Sequence, residues 1–303
     1  MSKSLKASAA LFAIGLIVGS RAESIRAMPP ASRDGYRILA GDFHVHAFPG
    51  DGSLAPWDLA REARRNALDV FAITNHNQMI AAHLAAWMPD TPGVMVLPGE
   101  EVTMPHFHMA TVGLHDVVDW RGTIPDVARA VHAQGGVAIG AHPARVFASA
   151  VNDAAIAALD GLERAHPMME FREHDRQGLA DSFDRAIRTK PSIAPIGSTD
   201  FHFTAAIGLC RTYLFVRDVT PAGVLDAIRN GRTVACDQRG NVYGAADMAR
   251  EVEGLCRATA EERLSKPPLE WLSLFCTWIG LVGLAWIGFR QNGPSLPIRQ
   301  TGR

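Results

Sequence analysis

The stretch GDFHVHAFPGDGS, Gly41 to Ser53, sets His44 and His46 one residue apart and places Asp51 five residues further on. Tyr36 to Val45 is rich in Tyr, Ile, Leu, Phe and Val and reads as a strand. Residues two apart on a strand share a face, so both imidazoles point the same way. The turn at Pro49, Gly50 and Gly52 folds the chain back and brings Asp51 toward them. Two imidazoles and a carboxylate in one place are metal-ligating chemistry. An isolated HxH also has a plainer meaning, two polar residues on the wet face of a half-buried strand, so the rest of the chain has to decide.

The elements around this stretch alternate. The spacing predicts a helix from Pro56 to Leu68, then a short buried strand DVFAIT, a strand VMVLPG, a strand MATVGL and a helix opening at Thr123-Ile-Pro125. VAIGA follows, then an amphipathic helix from about Asp175 to Arg188, strands SIAPIG and TYLFV, a Thr220-Pro221 capped helix and a last strand TVAC. Such alternation argues for a parallel α/β sheet or barrel, whose functional groups collect at the carboxyl ends of the strands.

Those ends carry His76, Glu100, His108, His142, Asp200 and His202, which with His44, His46 and Asp51 make nine candidate metal ligands. Two assignments are contested. His106 competes with His108. Glu101 competes with Glu100, since adjacent strand residues face opposite ways, and the order PGEE puts Glu100 first. Of the twelve histidines, His83, His115, His132, His166 and His174 lack this placement and read as structural or solvent-facing. Imidazoles and carboxylates without thiolate suit borderline divalent metals, and nine donors are too many for one ion. No GxSxG elbow supports a serine nucleophile. Arg145, three residues past His142, is a candidate clamp for a phosphate, with Arg164 in DGLERAH as a second.

The chain has 303 residues, 48% of them hydrophobic and 20% charged, with a formal charge of -1. It shows no electrostatic footprint for nucleic acid. Lys3 and Lys6 precede an apolar run from Ala9 to Gly19, so residues 1–22 read as a signal peptide or signal anchor. Trp271 to Phe289 carries no charge over nineteen residues, about 28 Å as a helix, and reads as a transmembrane helix. The expected domains are therefore a metal-binding α/β domain at 35–250, a juxtamembrane stalk at 251–270, the span at 271–289 and a basic tail at 290–303. Basic residues at both ends favour the cytoplasm, which leaves the domain extracytoplasmic, periplasmic in a Gram-negative cell. In that oxidising compartment Cys210 and Cys236, beside the TYLFV and TVAC strands, are candidates for a disulfide.

The stretches DFHVHAFPGDGS, FAITNHNQ, LPGEEVT, HFHMATVGL, GAHPAR and GSTDFH resemble, in order, the motifs of the polymerase and histidinol phosphatase (PHP) superfamily, from about residue 42 to 202. TYLFVRDVTPAGVLDAIRNGRTVA is similar to the closing strand-helix-strand of many members. AITNHN and GEEVT most resemble the branch that includes a hydrolase of carbamate insecticides. One departure is Asn75, where many members have Asp at a position that supports the fold rather than ligating. The resemblance implies a distorted seven-stranded (β/α) barrel holding two or three Mn, Zn or Fe ions, with Glu100 bridging two of them and a metal-held hydroxide as nucleophile. It implies a metal-dependent hydrolase, above all a phosphoesterase of small-molecule esters, with Glu100, Asp200 and His202 in the catalytic set, to which Arg145 is added as the candidate phosphate clamp. A carbamate, ester or amide hydrolase on the same metals is the alternative, and a non-catalytic ligand sensor is the alternative from another class.

Overall fold

Short runs of Val, Ile, Leu and Ala in this chain alternate between two apolar faces, and that alternation builds a sheet with a core on each side. The computed structural model describes residues 3–22, 31–88, 93–170, 172–203, 206–264 and 268–292. The elements in chain order are α1 (Lys3–Ala22), β1 (Ala31–Arg33), β2 (Tyr36–Val45), α2 (Pro56–Arg65), β3 (Val70–Ile73), α3 (Ile80–Ala85), β4 (Met95–Met104), β5 (Phe107–Val112), α4 (Ile124–Ala133), β6 (Val137–Gly140) and α5 (Asp153–Ala158). They continue with β7 (Gly161–Ala165), α6 (Glu173–Thr189), β8 (Ala194–Gly197), β9 (Arg211–Val216), α7 (Pro221–Arg229), β10 (Thr233–Cys236), β11 (Val242–Gly244), α8 (Ala246–Leu264) and α9 (Pro268–Asn292). They form two units, residues 25–261 and residues 1–24 with 262–303.

In the larger unit the strands run in the order β11-β10-β9-β2-β3-β4-β5-β6-β7-β8. β2, β3 and β4 are parallel, as are β6, β7 and β8. β5 is antiparallel to both its neighbours, because β4 and β5 form a hairpin with no helix between them. β9 pairs antiparallel with β2, and β10 antiparallel with β9. The two ends of the sheet nearly meet: Gly197 of β8 donates its N–H to Thr212 Oγ1 of β9 at 3.0 Å, and that hydroxyl donates back to Gly197 O at 2.9 Å. A Cβ on Gly197 would lie 2.4 Å from Arg211 O, so only glycine permits this approach. The result is a distorted, nearly closed barrel.

Its interior is apolar at one end. Leu39, Val70, Ala72, Leu97, Val112, Val137, Ile139, Ala194 and Ile196 pack there against Val224, Leu225, Ala227 and Ile228 of α7, which plugs that end. Thr220 caps α7 through its side chain and Pro221 starts it, as the sequence predicts. Each such Leu, Ile or Val fully buried stabilises the fold by roughly 1.5–3 kcal/mol. The outer face carries the other phase of each strand, covered by Leu59, Ala60 and Ala63 of α2, Val127 and Val131 of α4 and Phe183 of α6.

Two expectations are corrected here. The stalk expected at 251–270 does not begin at 251, because α8 buries Val252 and Cys256 in the outer core and the larger unit runs to Glu261. Cys236 bonds to Cys256 of α8, with Cα atoms 6.0 Å apart, and not to Cys210. Cys236 and Cys256 share the outer cluster, whereas Cys210 packs with Ala165 and Ala235.

In the smaller unit α1 and α9 pack antiparallel through small residues. A Cβ on Gly15 would lie 2.5 Å from the Thr277 nitrogen and one on Gly280 2.4 Å from that of Phe12. Gly19 faces Ser273, Gly283 faces Ser8, and Ser273 Oγ donates to Gly15 O at 2.7 Å. Such stripes let helix backbones approach closely. Among the described residues, α9 alone is long and apolar enough to cross a membrane, over Trp271–Arg290.

Candidate metal centre

The inward phase of the strands changes character toward the end of the barrel opposite α7. Counting in twos from Leu97 leads to Gly99 and Glu101, and from Val70 and Ala72 to His76. Counting from Ala194 and Ile196 leads to Asp200, and from Val112 and Ala110 to His108. On β2 the register with β3 shifts between Asp42 and Val45, and this irregularity turns His44 and His46 inward. Buried Asp42 holds it, accepting from the amides of His44 (3.3 Å), Thr199 (3.0 Å) and Gly208 (2.8 Å). Asn75 pins the loop that carries Asp51: its Oδ1 accepts from Ala47 N at 3.0 Å and its Nδ2 donates to Ala47 O at 2.6 Å. The departure at Asn75 is thus a backbone clamp.

Glu101 is at the centre, wholly buried. Its Oε2 lies 3.2 Å from His44 Nε2, 3.3 Å from His46 Nε2 and 2.9 Å from His76 Nδ1, and its Oε1 lies 2.7 Å from His108 Nδ1 and 3.2 Å from His142 Nε2. Asp200 Oδ1 lies 3.2 and 3.1 Å from the same His44 and His46 nitrogens. Asp51 reaches His46 Nδ1 at 3.0 Å, His202 Nε2 at 3.1 Å and His76 Nε2 at 3.5 Å. Asp51, His76 and His202 are the exposed side of the cluster, with side chains 43%, 36% and 28% accessible, so the site opens to solvent there. His142 and Asp200 hold positive φ angles of 29° and 50°, a strain of the order of 1 kcal/mol or more each, of the kind that collects at functional sites.

The structure therefore brings together eight of the nine candidates, His44, His46, Asp51, His76, His108, His142, Asp200 and His202. Glu100 is the correction. It sits on the opposite pleat, where its Oε1 accepts the Val118 N–H at 2.5 Å, and burial pushes its carboxyl up to about 7. His106 lies exposed at the tip of the β4–β5 hairpin. Arg164 stacks its guanidinium on the Tyr243 ring, 3.8 Å from the centroid. Arg145 opens the short 3-10 turn Arg145–Ala150, and its side chain lies outside the described residues. Two members were not read from the sequence. Glu163, inward on β7, accepts from His44 Nδ1 at 2.9 Å and from the His142 amide at 2.6 Å. His166, which immediately follows β7, is fully buried beside Asp200 rather than solvent-facing. The strand-end rule that found His142 applied equally to LERAH.

The donor chemistry fits metal ions. His44 Nε2, His46 Nε2, Glu101 Oε2 and Asp200 Oδ1 are all buried, and none makes a geometrically sound hydrogen bond although they crowd within 3.1–3.3 Å. Donors sharing one ion at about 2.0–2.2 Å are separated by about that much. Buried polar atoms left unmet are costly, and a cation between them meets all four. The electrostatics agree. Burial opposes charge on His46, yet Asp200, Asp51 and Glu101 outweigh it and push the ring up to about 10. Burial likewise opposes charge on Glu101 and Asp200, but His44 and the neighbouring imidazoles hold both carboxyls well below their usual range. The cluster demands positive charge at its centre.

Residues 183–233 match the family model described as PHP-associated. No curated protein matches the chain. Among solved structures, a two-domain protein from Bacteroides vulgatus containing a predicted PHP-like metal-dependent phosphoesterase superposes with a TM-score of 0.59 at 20% identity, over 75% of this chain and 73% of that one. The fold is PHP-like. PsfC from Pseudomonas syringae (TM-score 0.49, 14% identity, 75% of this chain and 99% of that one) and an amidohydrolase from Chromobacterium violaceum (0.45, 14%, 72% and 96%) are more distant likenesses. The PHP-like barrel accounts for the placement of the cluster, and the mouth opposite α7 is where its donors gather.

Proposed function

We propose that this chain is a metal-dependent hydrolase, and more narrowly a phosphoesterase of small-molecule phosphate esters, tethered to a membrane through α1 and α9. The observation that carries the reading is the convergence of buried, unpartnered imidazole nitrogens and carboxylate oxygens at an open mouth. Glu101 and Asp200 with His44 and His46 would hold one ion, Glu101 with His108 and His142 a second, and Asp51 with His76 and His202 a third, of manganese, zinc or iron. Such ions supply a nucleophile from water at neutral pH and stabilise the oxygens that gain charge. The protein's own part is orientation. Glu163 fixes the His44 ring by accepting from Nδ1, so that Nε2 presents its lone pair. Asp51 does the same for His46. Arg145, close to His142 in sequence, is the proposed phosphate clamp.

The test uses the full chain in detergent, with metal content measured and initial rates taken on p-nitrophenyl phosphate and p-nitrophenyl acetate, with and without chelator. The phosphate ester is expected to turn over faster and only with metal, and Arg145→Ala to lower its kcat/KM about tenfold with metal content intact. Faster acetate hydrolysis would favour the carboxyl ester, carbamate or amide reading. Bound metal with no turnover would favour a sensor.

Two observations support the extracytoplasmic placement of residues 25–261. The Cys236–Cys256 bond suits an oxidising compartment. The antiparallel packing of α1 on α9 sets Lys3 and Lys6 at the same end as Arg290, as cytoplasmic anchoring of both ends requires. It also favours a retained anchor over a cleaved signal peptide. Green fluorescent protein joined after Arg303 should fluoresce and alkaline phosphatase there should be inactive, with the mature chain still carrying α1.

A further inference from the structure

His166 is wholly buried, and neither of its ring nitrogens has a hydrogen-bond partner. A histidine kept in that condition is costly unless something meets it. Its neighbours narrow what that can be. Both oxygens of Glu163 are engaged, by His44 Nδ1 and by the His142 amide. The rings of His44 and His142 approach edge-on, with centroids 6.4 and 5.3 Å away. What remains is Asp200, whose Oδ2 lies 3.4 Å from His166 Nε2 while its Oδ1 faces His44 and His46. That separation is long for a hydrogen bond and lacks its geometry. It is the separation of two donors around one ion, about 3.0–3.4 Å for bonds near 2.1 Å.

We propose that His166 is a further metal ligand, acting through Nε2 on the Oδ2 side of Asp200, so that Asp200 bridges two ion positions with its two oxygens. The proposal rests on reading the mouth as a metal centre, and it is tested without substrate. Full-length protein in detergent is loaded with Mn²⁺, desalted, and its metal-to-protein ratio measured. His166→Gln keeps the side-chain size and a hydrogen-bond donor but ligates poorly, and is expected to lose about one equivalent, with His166→Asp regaining it. His166→Cys loaded with Co²⁺ is expected to show a thiolate-to-cobalt charge-transfer band in the near ultraviolet that the wild type lacks. An unchanged ratio in His166→Gln, or no such band in folded His166→Cys, overturns the assignment and leaves His166 as packing beside Asp200. Should the wild type itself bind no metal, the metal-centre reading falls first.

Discussion

Glu100 and Glu101 are chemically identical neighbours on β4, and one pleat of the strand sends them into opposite regions of the molecule. Glu101 enters a ring of five imidazoles that holds it ionised, whereas Glu100 enters the packed side of the sheet, where burial holds it toward the neutral form. The difference teaches that the mouth is defined by phase. A carboxylate two residues from an inward Gly99 belongs to the site, and one adjacent to it belongs to the scaffold.

The sharpest way to break this comparison is to neutralise each residue. Glu101→Gln should lose bound metal and lower kcat/KM at least a thousandfold, while Glu100→Gln should leave both within about threefold, a difference of roughly 4 kcal/mol in transition-state stabilisation. Equal losses in both variants would mean that the site extends through the sheet.

A smaller effect concerns protons. With His44 raised and His46 pushed up to about 10, the metal-free cluster is protonated at neutral pH, so an ion must displace protons to bind. Affinity should keep rising about tenfold per pH unit for each displaced proton, from pH 6 up toward 10, instead of levelling off near 6.5. Competition with a chromophoric chelator measures it, and Glu100→Gln should leave the slope unchanged.

The smallest effect is on stability. Unfolded, Glu100 titrates near 4.5, and folded near 7, so between those values the folded state holds the extra proton. Its stabilising contribution is complete below about pH 4.5 and is lost as pH rises to about 7. Glu100→Gln keeps the acceptor for Val118 and should therefore raise stability at pH 8 by about 1 kcal/mol and do nothing at pH 4. Denaturant midpoints at the two pH values decide it.

Much of this was legible in the sequence, because strand ends and inward faces follow from local alternation. His44, His46, His76, His142, Asp200 and His202 were found by asking only where strands stop. The choice between Glu100 and Glu101 was not legible there, since PGEE carries no mark of which residue faces in. That phase is set by Leu97 entering the inner cluster together with Val112, Ile139 and Ile196 of β5, β6 and β8, which only the folded sheet brings together. His166 was missed for a different reason: Glu163 and Arg164 interrupt the apolar run before it, so the strand that LERAH ends stands out less than VAIGA or SIAPIG. Cys256 was out of reach because its partner is decided by how α8 docks on β10.

The α1–α9 pair has one more consequence, for release of the larger unit by proteolysis. The larger unit is an insertion between two helices that hold each other, joined to them by two separate stretches of chain. A protease that severs either stretch alone leaves the barrel covalently attached through the other, so shedding requires two cuts.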